Sequence, residues 1–354
     1  MVELTLPLPD ESLERFRIWQ SPILPDSLAD ALSFRSFLAQ GMDTRTATVR
    51  LDVSFLGLHA MILDRGKAVI VEPLQRGNTE EYRSFHFPGM QLVEEAGGSS
   101  SESLSSESAT SSGMSFGDTL RVARLVLNAT GEFTQFYGGV DTASAVIATI
   151  GNRATGVFEQ EVGIRFVFAS HGINAFADTT DPFPDAQHAT RGALMDSNQV
   201  VCDRIVGEDN YDLGHLIALG IAGGTAGKWM CQANKGKAVS RFPDNPDSLL
   251  LALGYVVHEL GHQAGILGPG AESYNTLRYD YQLVLGELHH CSGEVEKNAE
   301  KKHLGDTSRA AVRPSCPMPA CAPIAAMSRM RTTCTFIHSP SSRSHLATTV
   351  LTMS

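Results

Sequence analysis

The sequence predicts two folded domains: a small β-rich domain over residues 1–92, then an α/β domain over 117–290 whose mixed sheet carries a deeply buried helix. Three observations predict this. Apolar and polar residues alternate with period two within residues 44–75, as in half-buried strands. From residue 119 strand-like and helix-like patterns take turns, the order of a sheet covered by helices. One apolar stretch, 247–264, has a start signal and a stop signal for a helix.

In the first domain Val49, Leu51, Val53 and Phe55 alternate with polar or small residues. HAMIL and KAVIVE flank Asp64-Arg65-Gly66, a composition suited to a hairpin turn. Residues 97–115, GGSSSESLSSESATSSGMS, have almost nothing to bury. The segment 93–116 is therefore expected to be a flexible linker and a natural place for proteolysis.

In the second domain TLRVARLVLNAT and GIRFVFAS read as strands. Between them VDTASAVIATIGNRATGVFEQEV reads as a long helix with Val146, Ile150, Ala154, Val157 and Phe158 on one face. DAQHATRGALMDSNQVVCDRIV reads as a further helix, and AGGTAGKW as a tight strand or loop near a site. Asp247 or Ser248 caps the helix LLLALGYVVHELGHQA, and Gly265 stops it. That helix is apolar nearly all round, so it should lie deep in the domain. Beyond residue 290, stretches such as EVEKNAEKKH lack a sustained apolar period, and poor order is expected over 291–354.

Composition narrows the function classes. The chain has 354 residues, 42% hydrophobic and 19% charged, close to globular averages. Its formal net charge of -11 argues against non-specific binding to nucleic acid or to an anionic membrane. No apolar run is long enough to span a bilayer, and a monomer is expected. The start MVELTLPLPD shows no signal peptide, so either the protein stays inside the cell or the true start lies upstream. Cys202, Cys231, Cys291, Cys316, Cys321 and Cys334 show no C-x-x-C pairing, which excludes the usual structural zinc spacing.

The chemistry sits in HELGH, His258 to His262, inside the apolar helix. Two histidines four apart fall about 40° apart around a helix, so both imidazoles can reach one metal ion. Zinc prefers nitrogen ligands in a tetrahedral shell, with one position open to water in catalytic sites. Glu259 lies beside such a metal, not on it. It can take a proton from water acidified by the ion and hand it to a leaving amine. A chance H-E-x-x-H arises in roughly one chain in a hundred of this length. Here the match falls on a capped helix that ends at glycine.

The wider string HELGHQAG extends the match to H-E-x-x-H-x-x-G, the metzincin signature as far as its glycine. Together with NYDLGHLIALGIAGGTAGKWMCQANKGKAV, LNATGEFTQFYGG and NRATGVFEQEVGIRFVF, it resembles the secreted, bacterial-type reprolysin-like metzincins. TLPLPDESLERFRIWQSPIL and TATVRLDV resemble the pro-region of those enzymes. The likeness covers residues 4–265. It implies a zincin-like (metzincin) catalytic domain that cleaves peptide bonds in protein or peptide substrates with zinc as cofactor. His258 and His262 would be metal ligands and Glu259 the general base, in an exported zymogen. The third histidine of the pattern would stand at position 268, where this chain has Gly268.

After Gly265 the likeness stops. Read one nucleotide earlier, the codons for Ser315 to Pro323 permit I-L-S-Y-A-G-M-C-A, like a methionine turn of this family. Those for Cys334 to Ser339 permit M-Y-F-H-S. The C-terminal stretch is therefore read as an out-of-frame or mis-spliced translation.

Glu272, Asp280, Glu287, His289 and His290 are other possible ligands, but none has a reliable spacing and all suit a solvated surface. His215, at the family's edge-strand position, reads as structural or substrate-side. In intact relatives of that family Cys231 would pair with another cysteine; its partner in this chain stays open. Asn128-Ala129-Thr130 fits a glycosylation acceptor but lies in a predicted strand. No cysteine precedes Cys202, so a pro-region that inhibits must do so sterically. The alternative to an enzyme is an inactive zincin-shaped protein without a third ligand.

Overall fold

Alternation in the N-terminal region becomes an antiparallel meander in which each strand pairs with the next. The computed structural model describes residues 2–65, 67–87, 120–227, 230–243, 248–265, 333–337 and 346–350. The meander comprises β1 (Val2–Pro7), β2 (Leu13–Gln20), β3 (Arg35–Gly41), β4 (Thr48–Ser54), β5 (Gly57–Asp64), β6 (Lys67–Pro73) and β7 (Glu81–His86). A short helix α1 (Asp26–Ala31) bridges β2 and β3. The expected hairpin forms: Asp64 pairs with Lys67, and Arg65 has φ 46°, the positive φ that a tight hairpin turn needs.

The second unit runs β8 (Arg121–Ala129), α2 (Gly131–Phe136), α3 (Val140–Val162), β9 (Ile164–Ala175), α4 (Arg191–Ile205), β10 (Leu213–Leu219), β11 (Gly223–Ala226), β12 (Ala238–Phe242) and α5 (Ser248–Gln263). Its sheet has the order β11-β12-β10-β8-β9. Four strands are parallel, and β11 runs antiparallel to β12 at one edge. The mixed sheet expected from the sequence is therefore present, after a β-rich N-terminal region. The helix expected over 185–206 begins later, at Arg191. Thr190 caps it by accepting a hydrogen bond from the Ala193 N–H at 3.2 Å. Upstream, Asp185 accepts from the Gln187 N–H at 2.8 Å, a local turn that competes with helix.

α3 departs from its expected amphipathic form. From Ala143 to Phe158 it is buried on every side, because it lies between the two sheets. It packs on β9 and α5 on one side and on β4 and β5 on the other. One apolar cluster accordingly joins Ile23, Phe34, Met61 and Ile70 of the first unit to Ile147, Phe158, Leu125 and Leu260 of the second. β5 serves both faces of its sheet. Ala60 and Ile62 fill the meander's own core, while Met61 and Leu63 turn toward α3.

Charges cross the same contact. Asp52 accepts from Thr149 Oγ1 at 2.8 Å and from Asn152 Nδ2 at 3.0 Å. Glu72 binds Arg83 at 2.7 Å and Arg153 at 3.1 Å. Arg50 pairs with Glu159. Burial pushes the Glu72 carboxyl up, but the two arginines outweigh it and hold it below the usual carboxylate range.

Two further strands, β13 (Thr333–Ile337) and β14 (Leu346–Val350), continue the first sheet beyond β7. They fall in the stretch where the sequence shows no sustained apolar period. Their Thr, Ile and Val residues suit an added pair of strands at an open edge. The serine-rich segment 93–116, Gly268, and the possible ligands Glu272, Asp280, Glu287, His289 and His290 lie outside the described residues.

Candidate metal centre

α5 brings the two histidines together. Leu253, Val256, Val257 and Leu260 bury its apolar faces in the shared core, so the helix is fixed by packing and not by its propensity. Gly265 follows at φ 93°, which ends the helix at the predicted residue. On the remaining face His258 Nε2 and His262 Nε2 lie 3.1 Å apart, with the rings nearly perpendicular at 89°. Two nitrogens bound about 2.0–2.1 Å from one tetrahedral ion would lie about 3.3 Å apart. The pair therefore already has the bite of a zinc site. Among the described residues no group of three His, Cys, Asp or Glu side chains that could hold a metal forms.

Glu259 is buried at 4% exposure, and its Oε2 has no hydrogen-bond partner among the described residues. Burial raises its carboxyl to about 7, offset in part by the field of Arg191. A carboxyl that can hold or release a proton near neutrality suits a general base. β11 passes directly over it. A methyl group on Gly224 would lie 2.3 Å from Glu259 Oε1, so only glycine lets the edge strand come this close. The glycine-rich run expected near a site is thus an edge strand against Glu259.

Gln263, the residue after His262, fixes α5 against the sheet. Its Nε2 donates to the Gly214 carbonyl at 3.0 Å and the Lys235 carbonyl at 3.1 Å. Its Oε1 lies 3.1 Å from His215 Nδ1, so Nδ1 carries the hydrogen. His215 Nε2 then accepts from Ser240 Oγ at 2.9 Å. Burial pushes the His215 imidazole down to about 4, which keeps it neutral. His215 is therefore a structural residue. It sits on β10, the central strand of the sheet and not its edge, which corrects the edge placement. Sequence reasoning missed Gln263, Ser240 and the contact of Gly224 with Glu259. Only Gln263 gave a signal, as a polar residue between buried positions of an apolar helix.

Asn128 is fully buried and hydrogen-bonded to Asn198 at 2.8 Å, so in the folded chain it is closed to glycosylation. Cys202 is a free, buried thiol, pushed up to about 12 by burial. Cys231 is disulfide-bonded.

No curated protein matches the chain. Residues 144–266 match the family described as metallo-peptidase family M12B, reprolysin-like, a stretch from within α3 to just past the end of α5. The matched stretch contains both histidines, Glu259 and the edge strand.

Proposed function

We propose that the chain is a zinc-dependent endopeptidase in which His258 and His262 hold the metal and Glu259 acts as general base. The observation that carries the proposal is the pair of Nε2 atoms 3.1 Å apart on the helix of the buried Glu259, whose Oε2 has no hydrogen-bond partner among the described residues. Zinc would supply Lewis acidity at the scissile carbonyl and acidify the attacking water. Glu259 accepts the proton of that water and returns it to the departing amine. β11 has no neighbour on its outer side among the described strands, so an extended peptide can add to it by main-chain hydrogen bonds. Such a peptide would run beside Glu259, because Gly224 brings the strand into contact with that side chain.

The reprolysin-like match supports protein or peptide substrates. The disulfide at Cys231 supports an oxidising, extracellular setting. Among the described residues no helix is long and apolar enough to cross a membrane. The N-terminal β unit is proposed as the equivalent of a pro-region.

Metal analysis with a protease assay tests this. One zinc per chain is expected, with chelator-sensitive cleavage of an unfolded protein substrate. His262→Ala loses both. Glu259→Gln keeps the metal and loses cleavage by about a thousandfold or more. A second reading, an inactive zincin-shaped protein, is favoured by the lack of a third ligand among the described residues. A purified chain that takes up no zinc establishes that reading instead.

A further inference from the structure

Two arginines meet on the opposite face of the edge strand, beside Gly223. Side chains on β12 alternate. Ser240 points to His215 and α5, while Val239 packs with Leu194 and Met195 of α4. Arg241 shares the face of Val239. It pairs across strands with Gly223 of β11. Arg191, the first residue of α4, lies over the same glycine: a methyl group on Gly223 would stand 2.5 Å from Arg191 Nη2.

Neither guanidinium forms an ion pair with a carboxylate among the described residues. Arg241 is 7% exposed. Its Nη1 donates to the Ala186 carbonyl at 3.0 Å and the Ala189 carbonyl at 3.3 Å, and its buried Nε has no hydrogen-bond partner among the described residues. Arg191 is exposed and makes no hydrogen bond or ion pair with the described residues. Elsewhere this acidic chain pairs its buried arginines with carboxylates, as at Glu72 with Arg153. An unmatched pair of cations, one of them buried, raises the cost of the free state and favours an incoming anion.

A peptide added to the outer edge of β11 turns alternate side chains to the two faces. One set lies toward Glu259, beneath Gly224. The other lies beside Gly223, where Arg191 waits. We propose that Arg191 and Arg241 form a carboxylate-binding subsite that selects peptides with Asp or Glu next to the residue lying over Glu259. This rests on the reading of the chain as a peptidase with β11 as its substrate strand. Arg191 contacts the carboxylate directly, and Arg241 supplies a fixed positive field from within the sheet.

The test uses the full chain carrying Glu259→Gln, so that peptide is bound and not consumed. Fluorescently labelled alanine-rich decapeptides carry a single Asp, Asn or Lys at successive positions, and binding is followed by anisotropy. At one position the Asp peptide should bind about tenfold tighter than the Asn peptide, with the gain fading at high salt. Arg191→Ala should abolish the difference, and Arg191→Glu should transfer the preference to the Lys peptide. Asp and Asn peptides that bind alike or not at all overturn the subsite, as does a preference that survives Arg191→Ala. Failure of the two ideas is distinguishable. A wild-type chain that binds Asp peptides selectively but cuts no peptide removes the peptidase reading and leaves the subsite. One that cuts without acidic preference does the reverse.

Discussion

Gly224 and Glu259 are in contact across the edge of the sheet: the space for a Cβ at 224 is taken by the Glu259 side chain, 2.3 Å from Oε1 and 2.5 Å from Cγ. Alanine there must displace either the carboxylate or the strand on which a peptide would lie. Gly224→Ala is expected to lower kcat/KM by about a hundredfold with zinc content unchanged, since misplacement by about 1 Å carries that cost. Metal analysis beside steady-state kinetics checks it, and a variant that keeps full activity would remove Glu259 from the role of base.

Gln263 satisfies three buried groups at once: the Gly214 and Lys235 carbonyls and the His215 imidazole. Leucine would leave all three without it. Gln263→Leu is expected to destabilise the fold by about 2–4 kcal/mol, the cost of orphaned buried polar groups, as read from the urea midpoint at unchanged m-value.

His215 gives stability a pH dependence with a definite sign. Its pKa is lowered from 6.5 to about 4 in the folded chain. The unfolded chain therefore binds more protons between those values. The stabilisation is complete above 6.5 and is lost as pH falls toward 4, by up to about 1.4 kcal/mol per pH unit. Urea unfolding at several pH values should show this slope in the parent and a shallower one in His215→Gln. Equal slopes would place the imidazole in water.

The contact between the sheets predicts that the chain stays in one piece after it is cut. Proteolysis between residues 87 and 120 should yield two fragments that co-elute on size exclusion and separate only in denaturant, because α3 is buried between them. Glu72→Ala, which strands Arg153 at 1% exposure, should cost about 3–5 kcal/mol. Separation of the fragments in native buffer would refute the shared core.

The helix of His258 and His262 was legible because it depends on local signals: an apolar run, H-E-x-x-H and a stop glycine at 265. The hairpin at Asp64 was legible for the same reason. The start of α4 was not, because Asp185 draws the backbone into a turn that its own side chain stabilises. The all-round burial of α3 was also hidden. Thr149, Asn152 and Arg153 look like a solvent face, but their partners Asp52 and Glu72 lie 81 to 100 residues away. Likewise no sequence spacing links Arg191 to Arg241. They meet only through the pairing of Gly223 with Arg241.

The burial of α3 bears on how the chain is made. Every residue of the meander leaves the ribosome before the long helix does, so a cradle lined by Met61, Leu63, Asp52 and Glu72 precedes the segment that fills it. Synthesised without that cradle, the helix would turn Arg153 and Asn152 toward water and its apolar neighbours toward other molecules. A gene fragment beginning near residue 120 should therefore give inclusion bodies, even though it encodes the whole histidine pair.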